Sequence, residues 1–281
     1  MLDLPDDDAH PDFSTEADPD RRGKPFVASV GKCFQVLKAF RRGQTELRQR
    51  DLGLSEICKL SGLDKSAAQR FSETLVTLGY LEKDPGTRRY RPGIALIDFY
   101  YTFMVSHRLA QIAMPILIEA SKVYDTTVNL CELEGTDAIY TVRIPQAKAS
   151  YGTMLAGRRV PAFCASPGTV ILAHMPEDEA DAVLAASDLR KITEYTLTDI
   201  AELKAQMAEA RRLGYHVSDQ QSQIHNVSTA APVLRMDGRA VAAVHIPGYA
   251  PQWNLDNVHE KLVPLAVETA RRISDSLTEA L

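Results

Sequence analysis

The sequence predicts an α+β protein, in which a small domain of three helices and a β-hairpin precedes a larger domain with a mostly antiparallel sheet. Apolar residues recur at helical spacing up to residue 78, and two short strands around a Pro-Gly turn follow directly. Beyond residue 126 the pattern changes to strand pairs that are joined by short turns and separated by helices. Strands and helices mixed at this spacing are typical of the α+β class.

The charge of the chain is distributed unevenly. Residues 1–20 contain eight acidic side chains and no Lys or Arg, which gives −8. Residues 21–93 carry sixteen Lys or Arg against seven acidic residues, which gives +9, whereas residues 94–281 have a charge of −6. The overall charge of −5 therefore conceals a basic segment, and this asymmetry favours a polyanionic partner for the first domain alone.

Composition and length indicate a globular protein of one or two domains, since 45% of the 281 residues are hydrophobic and 25% are charged. The cysteines, Cys33, Cys58, Cys131 and Cys164, form no C-x-x-C pair and lie in apolar surroundings, so we expect reduced core thiols. The acidic start is unlike a signal peptide, and no apolar run is long enough to span a bilayer. We therefore expect a cytoplasmic protein without membrane contact.

The N-terminal part is predicted to consist of a tail and a helix. Residues 1–24 are rich in Asp, Pro and Arg and are expected to be disordered, with a basic end that is solvated or, alternatively, lies on DNA as an arm. A helix is predicted from Ser29, as its cap, to about Phe40, and Gly43 is predicted to end it. Its packing face is predicted to consist of Val30, Phe34, Leu37 and Phe40.

Two further helices are joined by a tight turn at Ser61-Gly62, and Asp64 is predicted to cap the second one. The first turns of that second helix carry side chains that bond phosphates and base edges: Lys65, Ser66, Gln69 and Arg70. In a helix-turn-helix, this end of the second helix enters the major groove of DNA. On this stretch alone, an ordinary helical hairpin with a solvated polar face is an equal alternative.

The hairpin that follows makes the DNA interpretation stronger. Its strands are predicted on either side of Pro85-Gly86-Thr87, and attached to three helices it would form the wing of a winged helix. Arg88, Arg89 and Arg91 place positive charge on one strand, where a wing meets phosphate or a minor groove. A solvated arginine cluster is the less favoured alternative.

The remaining chain is predicted to contain a linker and a second domain. Residues 94–108 are assigned to a linker helix. Its apolar residues are expected to pack either on a neighbouring domain and a second subunit or inside one core. Further along, Pro115 allows a kink or a new helix start. Residues 109–281 are assigned to the second domain. Hairpins are predicted at 127–143 and 228–246, and helices at 166–174, 177–186, 199–213 and 255–277.

Several short pieces, in order and at specific spacing, resemble the IclR family of bacterial transcriptional regulators. The pieces are 28–30, 54–57, 62–66, 74–75 and 78–82 in the first domain, and 127–130, 157–161, 212–215 and 230–233 in the second. The resemblance implies an N-terminal winged helix, assigned to 25–93, and a C-terminal GAF-like effector-binding domain. It also implies a homodimer or homotetramer on a palindromic operator in double-stranded DNA. The DNA contacts that it implies are Ser55, Lys65, Ser66, Gln69, Arg70, Arg88, Arg89 and Arg91.

The resemblance also implies an effector pocket. Its positions here are Ala165, Ser166, Pro167, Asp219, Asn226, Ser228, His245 and Pro247. Phe163 stands where His is usual, Thr169 where Lys is usual, and Gln220-Gln221 where acidic residues are usual. Such a pocket is richer in neutral hydrogen-bonding groups and suits a small organic acid or a polar neutral metabolite. Alternatively, several of these side chains satisfy backbone groups in a polar loop.

The sequence therefore predicts a ligand-responsive regulator, in the first place a repressor of a catabolic operon. An enzyme is the alternative, through Cys164 with His225 or His245. It is not favoured, because the chain lacks G-x-S-x-G, G-x-G-x-x-G, Walker and H-E-x-x-H motifs. We expect no catalytic residues, no cofactor and no metal site.

Overall fold

The computed structural model describes residues 26–147 and 155–279. The predicted tail, residues 1–24, lies outside the described residues. The chain divides into two compact units, which meet in sequence between Ser106 and His107. Among the described residues, none of the helices combines the length and apolar character that crossing a bilayer requires.

The first unit begins with three helices, α1 (Ala28–Glu46), α2 (Leu54–Ser61) and α3 (Lys65–Thr77). The turn between α2 and α3 is as predicted, because Gly62 adopts a φ of +71° and Asp64 Oδ1 accepts a hydrogen bond of 2.9 Å from the amide of Ala67. The core of this unit consists of Val36, Ala39, Phe40, Leu52, Ile57, Leu60, Ala68, Leu75, Leu81 and Tyr90.

The first helix differs from the prediction in its end and in its face. It continues past Gly43 to Glu46, and the predicted cap lies inside the helix. Gly43 is needed for close packing, since a Cβ there would lie 2.7 Å from Leu52 Cδ2. The helix buries Val36, Ala39, Phe40 and Gly43. Val30 and Phe34, which were predicted to pack, are exposed because the buried face is rotated relative to them.

The hairpin consists of β1 (Leu81–Lys83) and β2 (Tyr90–Pro92), paired antiparallel with Glu82 opposite Arg91. Its turn is held by Asp84, whose carboxylate accepts hydrogen bonds from the amide and hydroxyl of Thr87. Tyr90 also forms a bridge to Leu52, ahead of α2, so the hairpin is attached to the helix pair. Helix α4 (Leu96–Ser106) follows and buries none of its residues.

The second unit is an α+β domain around a six-stranded antiparallel sheet of order β5-β4-β3-β8-β7-β6. Its strands are β3 (Val128–Glu134), β4 (Asp137–Ile144), β5 (Arg159–Pro161), β6 (His216–Asp219), β7 (Asn226–Leu234) and β8 (Ala240–Tyr249). Its helices are α5 (Arg108–Val123), α6 (Ser166–Ala173), α7 (Glu177–Ala186), α8 (Ile200–Leu213), α9 (Leu255–Asn257), a π-helical turn (Val258–Leu262) and α10 (Val263–Glu279). Helix α6 packs on β7 and β8, and α5 and α10 pack on each other and on the strands.

The helix that starts this unit, α5, begins within one residue of the predicted boundary between the linker and the second domain. Pro115 lies inside α5 and does not start it. The start is His107, whose Nδ1 accepts a hydrogen bond of 3.0 Å from the amide of Ala110 and so caps the helix. Its Nε2 lies 3.0 Å from Glu132 Oε2 on β3, and this contact fixes the cap to the sheet.

Candidate DNA-binding surface and effector site

The first turns of α3 present a polar surface. Lys65, Ser66, Gln69 and Arg70 are all exposed, as is Ser55 on the first turn of α2. The opposite side of α3 is buried through Ala68, Ser72 and Leu75, which repeat at helical spacing. Because the apolar side anchors the helix in the core, its N-terminal polar side is held outward in a fixed orientation.

The three arginines of the hairpin have different surroundings. Arg88 lies at the turn with a φ of +60°, and its side chain is exposed. Arg91 is exposed as well, and its Nη2 bonds Glu82 Oε2 across the hairpin at 2.7 Å. Arg89 points to the segment ahead of α2. The sequence predicts one cluster of three arginines, whereas in the structure Arg89 is engaged within the chain and Arg88 is exposed at the turn.

Arg89 is the centre of an ionic network that joins the hairpin to the start of α2. Its Nε donates to Asp51 Oδ1 at 2.6 Å, and its Nη2 donates to Glu56 Oε2 at 2.7 Å, to Gln49 Oε1 at 3.0 Å and to the carbonyl of Asp51 at 2.8 Å. The hydrogen bond to Asp51 raises the pKa of Arg89. Glu56 also accepts a hydrogen bond from the amide of Gly53. Burial raises the pKa of Glu56, but this hydrogen bond and the charge of Arg89 outweigh that effect and lower the pKa.

A second network joins α3 to the hairpin and was not predicted from the sequence. Glu73 accepts hydrogen bonds from Lys83 and from the hydroxyl of Tyr90, the latter at 2.8 Å. The bond from Lys83, followed by that from Tyr90, lowers the pKa of Glu73. Lys83 Nζ also lies 5.0 Å from the centroid of the Tyr90 ring. No local pattern signals these contacts, because they join residues ten and seventeen positions apart.

In the second unit, the start of α6 meets the strands of the last hairpin. Ala165, Ser166 and Pro167 are buried there, and Ser166 Oγ lies 3.0 Å from Ser228 Oγ on β7. Ser228 pairs with Pro247 on β8, so three of the predicted positions are brought together.

The other predicted effector positions lie around this point. His245 is two residues before Pro247 and is buried. Asn226 is also buried, and its Nδ2 donates to the carbonyl of Gly248 at 3.3 Å. Asp219, at the end of β6, is exposed and is not part of the buried group.

His245 belongs to a cluster that sequence reasoning missed, here called the Tyr140 cluster: Asn129, Tyr140, Arg143, Arg158 and His245. The His245 ring stacks on Tyr140, with centroids 5.2 Å apart. The Arg143 and Arg158 Cζ atoms lie 5.5 Å and 6.0 Å from the Tyr140 centroid. Burial and then the charges of Arg143 and Arg158 lower the pKa of His245 to about 3, so this imidazole is neutral at physiological pH.

The chemistry of Cys164 does not support nucleophilic catalysis. Burial raises the pKa of its thiol well above the ordinary range, which keeps it protonated. Its Sγ lies 3.9 Å from the carbonyl of Pro161, a backbone contact within the core. Within the described residues, no group of His, Cys, Asp or Glu is arranged to hold a metal ion.

A winged helix-turn-helix followed by a separate domain with a buried polar group defines the class of ligand-responsive, DNA-binding transcriptional regulators. Residues 29–85 match the model of the IclR helix-turn-helix domain, and residues 101–275 match that of the bacterial transcriptional regulator IclR C-terminal domain. The chain belongs to the IclR family. Members of this family are transcriptional regulators and not enzymes.

Individual relatives are similar along most of their length. The chain is 28% identical to the HTH-type transcriptional regulator XynR of Escherichia coli, over 79% of this chain and 86% of that protein. A crystal structure of a transcriptional regulator from Rhodococcus sp. RHA1 has a TM-score of 0.74 and 31% identity, over 90% of this chain and 98% of the other. An IclR homologue from Microbacterium hydrocarbonoxydans, crystallised with 4-hydroxybenzoate, has a TM-score of 0.70 and 24% identity, over 89% and 98%.

Proposed function

We propose that this protein is a cytoplasmic repressor of a catabolic operon, which binds a palindromic operator and releases it when a small organic acid or polar metabolite binds the second unit. The observation that carries the proposal is the outward polar end of α3, where Lys65, Ser66, Gln69 and Arg70 are exposed on a helix whose other side is buried. These are the side-chain types that read base edges and hold phosphates.

A dimer, or a dimer of dimers, is part of the proposal. Helix α4 has eleven residues and buries none of them, although Ile97, Phe99 and Tyr101 are apolar or aromatic and more than half exposed. An apolar surface of this kind supports packing against a second subunit. Two subunits related by a two-fold axis would place their recognition helices about one DNA turn apart, or a multiple of it.

The buried polar groups of the second unit support the proposal that an effector binds there and causes release of the operator. Ser166, Ser228 and His245 lie in the interior and offer hydrogen-bonding groups there. The related protein that was crystallised with 4-hydroxybenzoate carries a small organic acid, which supports this class of effector for the chain described here.

The test is a titration of the DNA upstream of its own gene with the full chain, in which fluorescence anisotropy measures binding at several salt concentrations. We expect sequence-specific binding with a footprint of two-fold symmetry, and a weaker complex when a panel of small acids and polar metabolites is added. A shuffled sequence of the same composition is the control. Equal affinity for both DNAs would contradict the operator assignment, and lower expression of the neighbouring genes in a deletion strain would contradict the repressor role.

A further inference from the structure

The Tyr140 cluster concentrates positive charge inside the effector domain. Arg143 comes from β4 and Arg158 from the segment just before β5, and both guanidinium groups lie within about 6 Å of the same aromatic ring. The two guanidinium groups are close enough to interact. Burial is the largest cause that lowers the pKa of Arg143, and the positive charge of Arg158 lowers it further. Two like charges beside one buried ring give this part of the domain a positive electrostatic potential, which favours the binding of an anion.

The hydrogen bonds of the cluster also fix which way each group faces. Arg143 Nη1 donates to Asn129 Oδ1 at 2.9 Å, and a guanidinium only donates, so the amide oxygen must face Arg143. The amide nitrogen of Asn129 then faces His245 Nδ1, at 2.8 Å, and it also only donates. His245 Nδ1 must therefore accept.

A neutral imidazole that accepts at Nδ1 carries its proton on Nε2. Since burial keeps His245 neutral, Nε2–H is a hydrogen-bond donor of fixed position without a charge of its own. The Tyr140 hydroxyl keeps its proton as well, because burial raises the pKa of Tyr140 above its ordinary value. The cluster thus combines two cationic forks with neutral donors, which is the donor set that carboxylate recognition uses.

We propose that the Tyr140 cluster binds the carboxylate of a small organic acid, with Arg143 and Arg158 supplying the charge and His245 Nε2 a neutral hydrogen bond. This inference rests on the proposed function, since it takes the second unit to be the effector domain. It goes further by choosing an acid over a neutral metabolite and by naming the residues that make the choice. It also explains why a buried imidazole lies beside two arginines, where it can donate without adding a third positive charge.

The experiment compares acids with their neutral counterparts on the purified full chain. Acetate, pyruvate, succinate, benzoate, phenylacetate and dihydroxybenzoate are each paired with the corresponding carboxamide, at constant ionic strength, and the melting temperature is followed. The acid with the largest effect is then titrated by calorimetry. We expect at least one acid to raise the melting temperature while its amide does not. If the amides stabilise the chain as well as their acids do, or if none of the acids binds, the inference is overturned.

Substitutions locate the effect. Arg143→Gln and Arg158→Gln should each raise the Kd of the best acid about 10- to 100-fold. Arg271→Gln is the matched control, because Arg271 lies exposed on α10 in pairs with Glu268 and Asp275, and it should leave the Kd unchanged. If Arg143→Gln fails to fold, Arg143→Lys is used in its place. This variant retains the positive charge and should bind the acid more tightly than Arg158→Gln does. Wild-type Kd values in both Gln variants would overturn the inference.

The same samples separate this inference from the proposed function. If a neutral metabolite releases the operator and no acid does, the regulator assignment stands and the carboxylate site is wrong. If an acid binds through Arg143 and Arg158 but does not change DNA binding, the carboxylate site stands and the repressor model is wrong.

Discussion

Arg88 and Arg89 are neighbours on the same hairpin, and the structure predicts opposite consequences for their removal. Arg88→Ala should leave the stability of the first unit within about 0.5 kcal/mol, because the side chain is exposed at a turn. It should weaken operator binding and lower the slope of log K against log salt by about one, through loss of one phosphate contact. Arg89→Ala should act mainly on folding.

The magnitude for Arg89 follows from its contacts. The side chain is 30% exposed and bonds Glu56, which is 26% exposed, and Asp51, which is 53% exposed. The more exposed pair contributes about 0.5 kcal/mol. The less exposed pair contributes about 1 kcal/mol once solvent screening is allowed for. Arg89→Ala should therefore destabilise this unit by about 1 to 2 kcal/mol, which lowers its melting temperature by roughly 5 to 15 °C.

The assays are urea unfolding of each variant and anisotropy titrations at four salt concentrations, at a temperature where both variants are folded. Arg89→Lys is the matched control, since it keeps the charge but cannot reproduce the fork that reaches Asp51 and Glu56 together. If Arg89→Ala is as stable as wild type and loses one unit of salt slope, Arg89 contacts phosphate and the network described here is not what holds it.

Three further substitutions test other parts of the molecule. Arg70→Ala should weaken operator binding about tenfold with unchanged stability, measured by anisotropy, and an unchanged Kd would remove Arg70 from the interface. The pKa of His245 is about 3 in the folded state and about 6.5 in the unfolded state, so below pH 6.5 the unfolded state takes up a proton that the folded state does not. The free energy of unfolding should therefore fall by about 2 kcal/mol at pH 5. Urea unfolding of wild type and His245→Gln at pH 7 and 5 should show that the variant lacks this part of the loss. Gly168→Ala should cost about 3 kcal/mol or more, because the new Cβ would lie 2.2 Å from Ala162 Cα, and a thermal melt within a few degrees of wild type would refute the close approach.

Much of the fold was predictable because its signals are local. The cap at Asp64, the turn at Gly62 and the Pro-Gly hairpin depend on residues within a few positions of each other, and all three are as predicted. The antiparallel hairpins of the second unit were predictable for the same reason. The errors occur where distant packing decides. Gly43 lies inside α1, where Leu52 packs against it, and α5 begins directly after His107, whose side chain contacts Glu132 on β3.

The candidate sites also differ in whether local or long-range signals define them. Amino-acid type and helical spacing place Lys65, Ser66, Gln69 and Arg70 on one exposed surface, so the sequence alone predicted the surface that we propose for DNA contact. The pairing of Ser166 with Ser228 needed the family resemblance, since 62 positions separate them. No pattern in the sequence distinguished Arg88 from Arg89.

The amino-acid sequence alone is enough to predict the class of protein: two domains of opposite charge, a winged helix-turn-helix and a mostly antiparallel α+β domain. Tertiary folding sets which charged side chains are engaged within the chain and which face outward, because ion pairs form between residues that folding brings together. It assigned Arg89 and Glu73 to the joints of the wing and gathered Arg143, Arg158 and His245 around Tyr140. These residues are far apart in the sequence, so local spacing does not record that they converge.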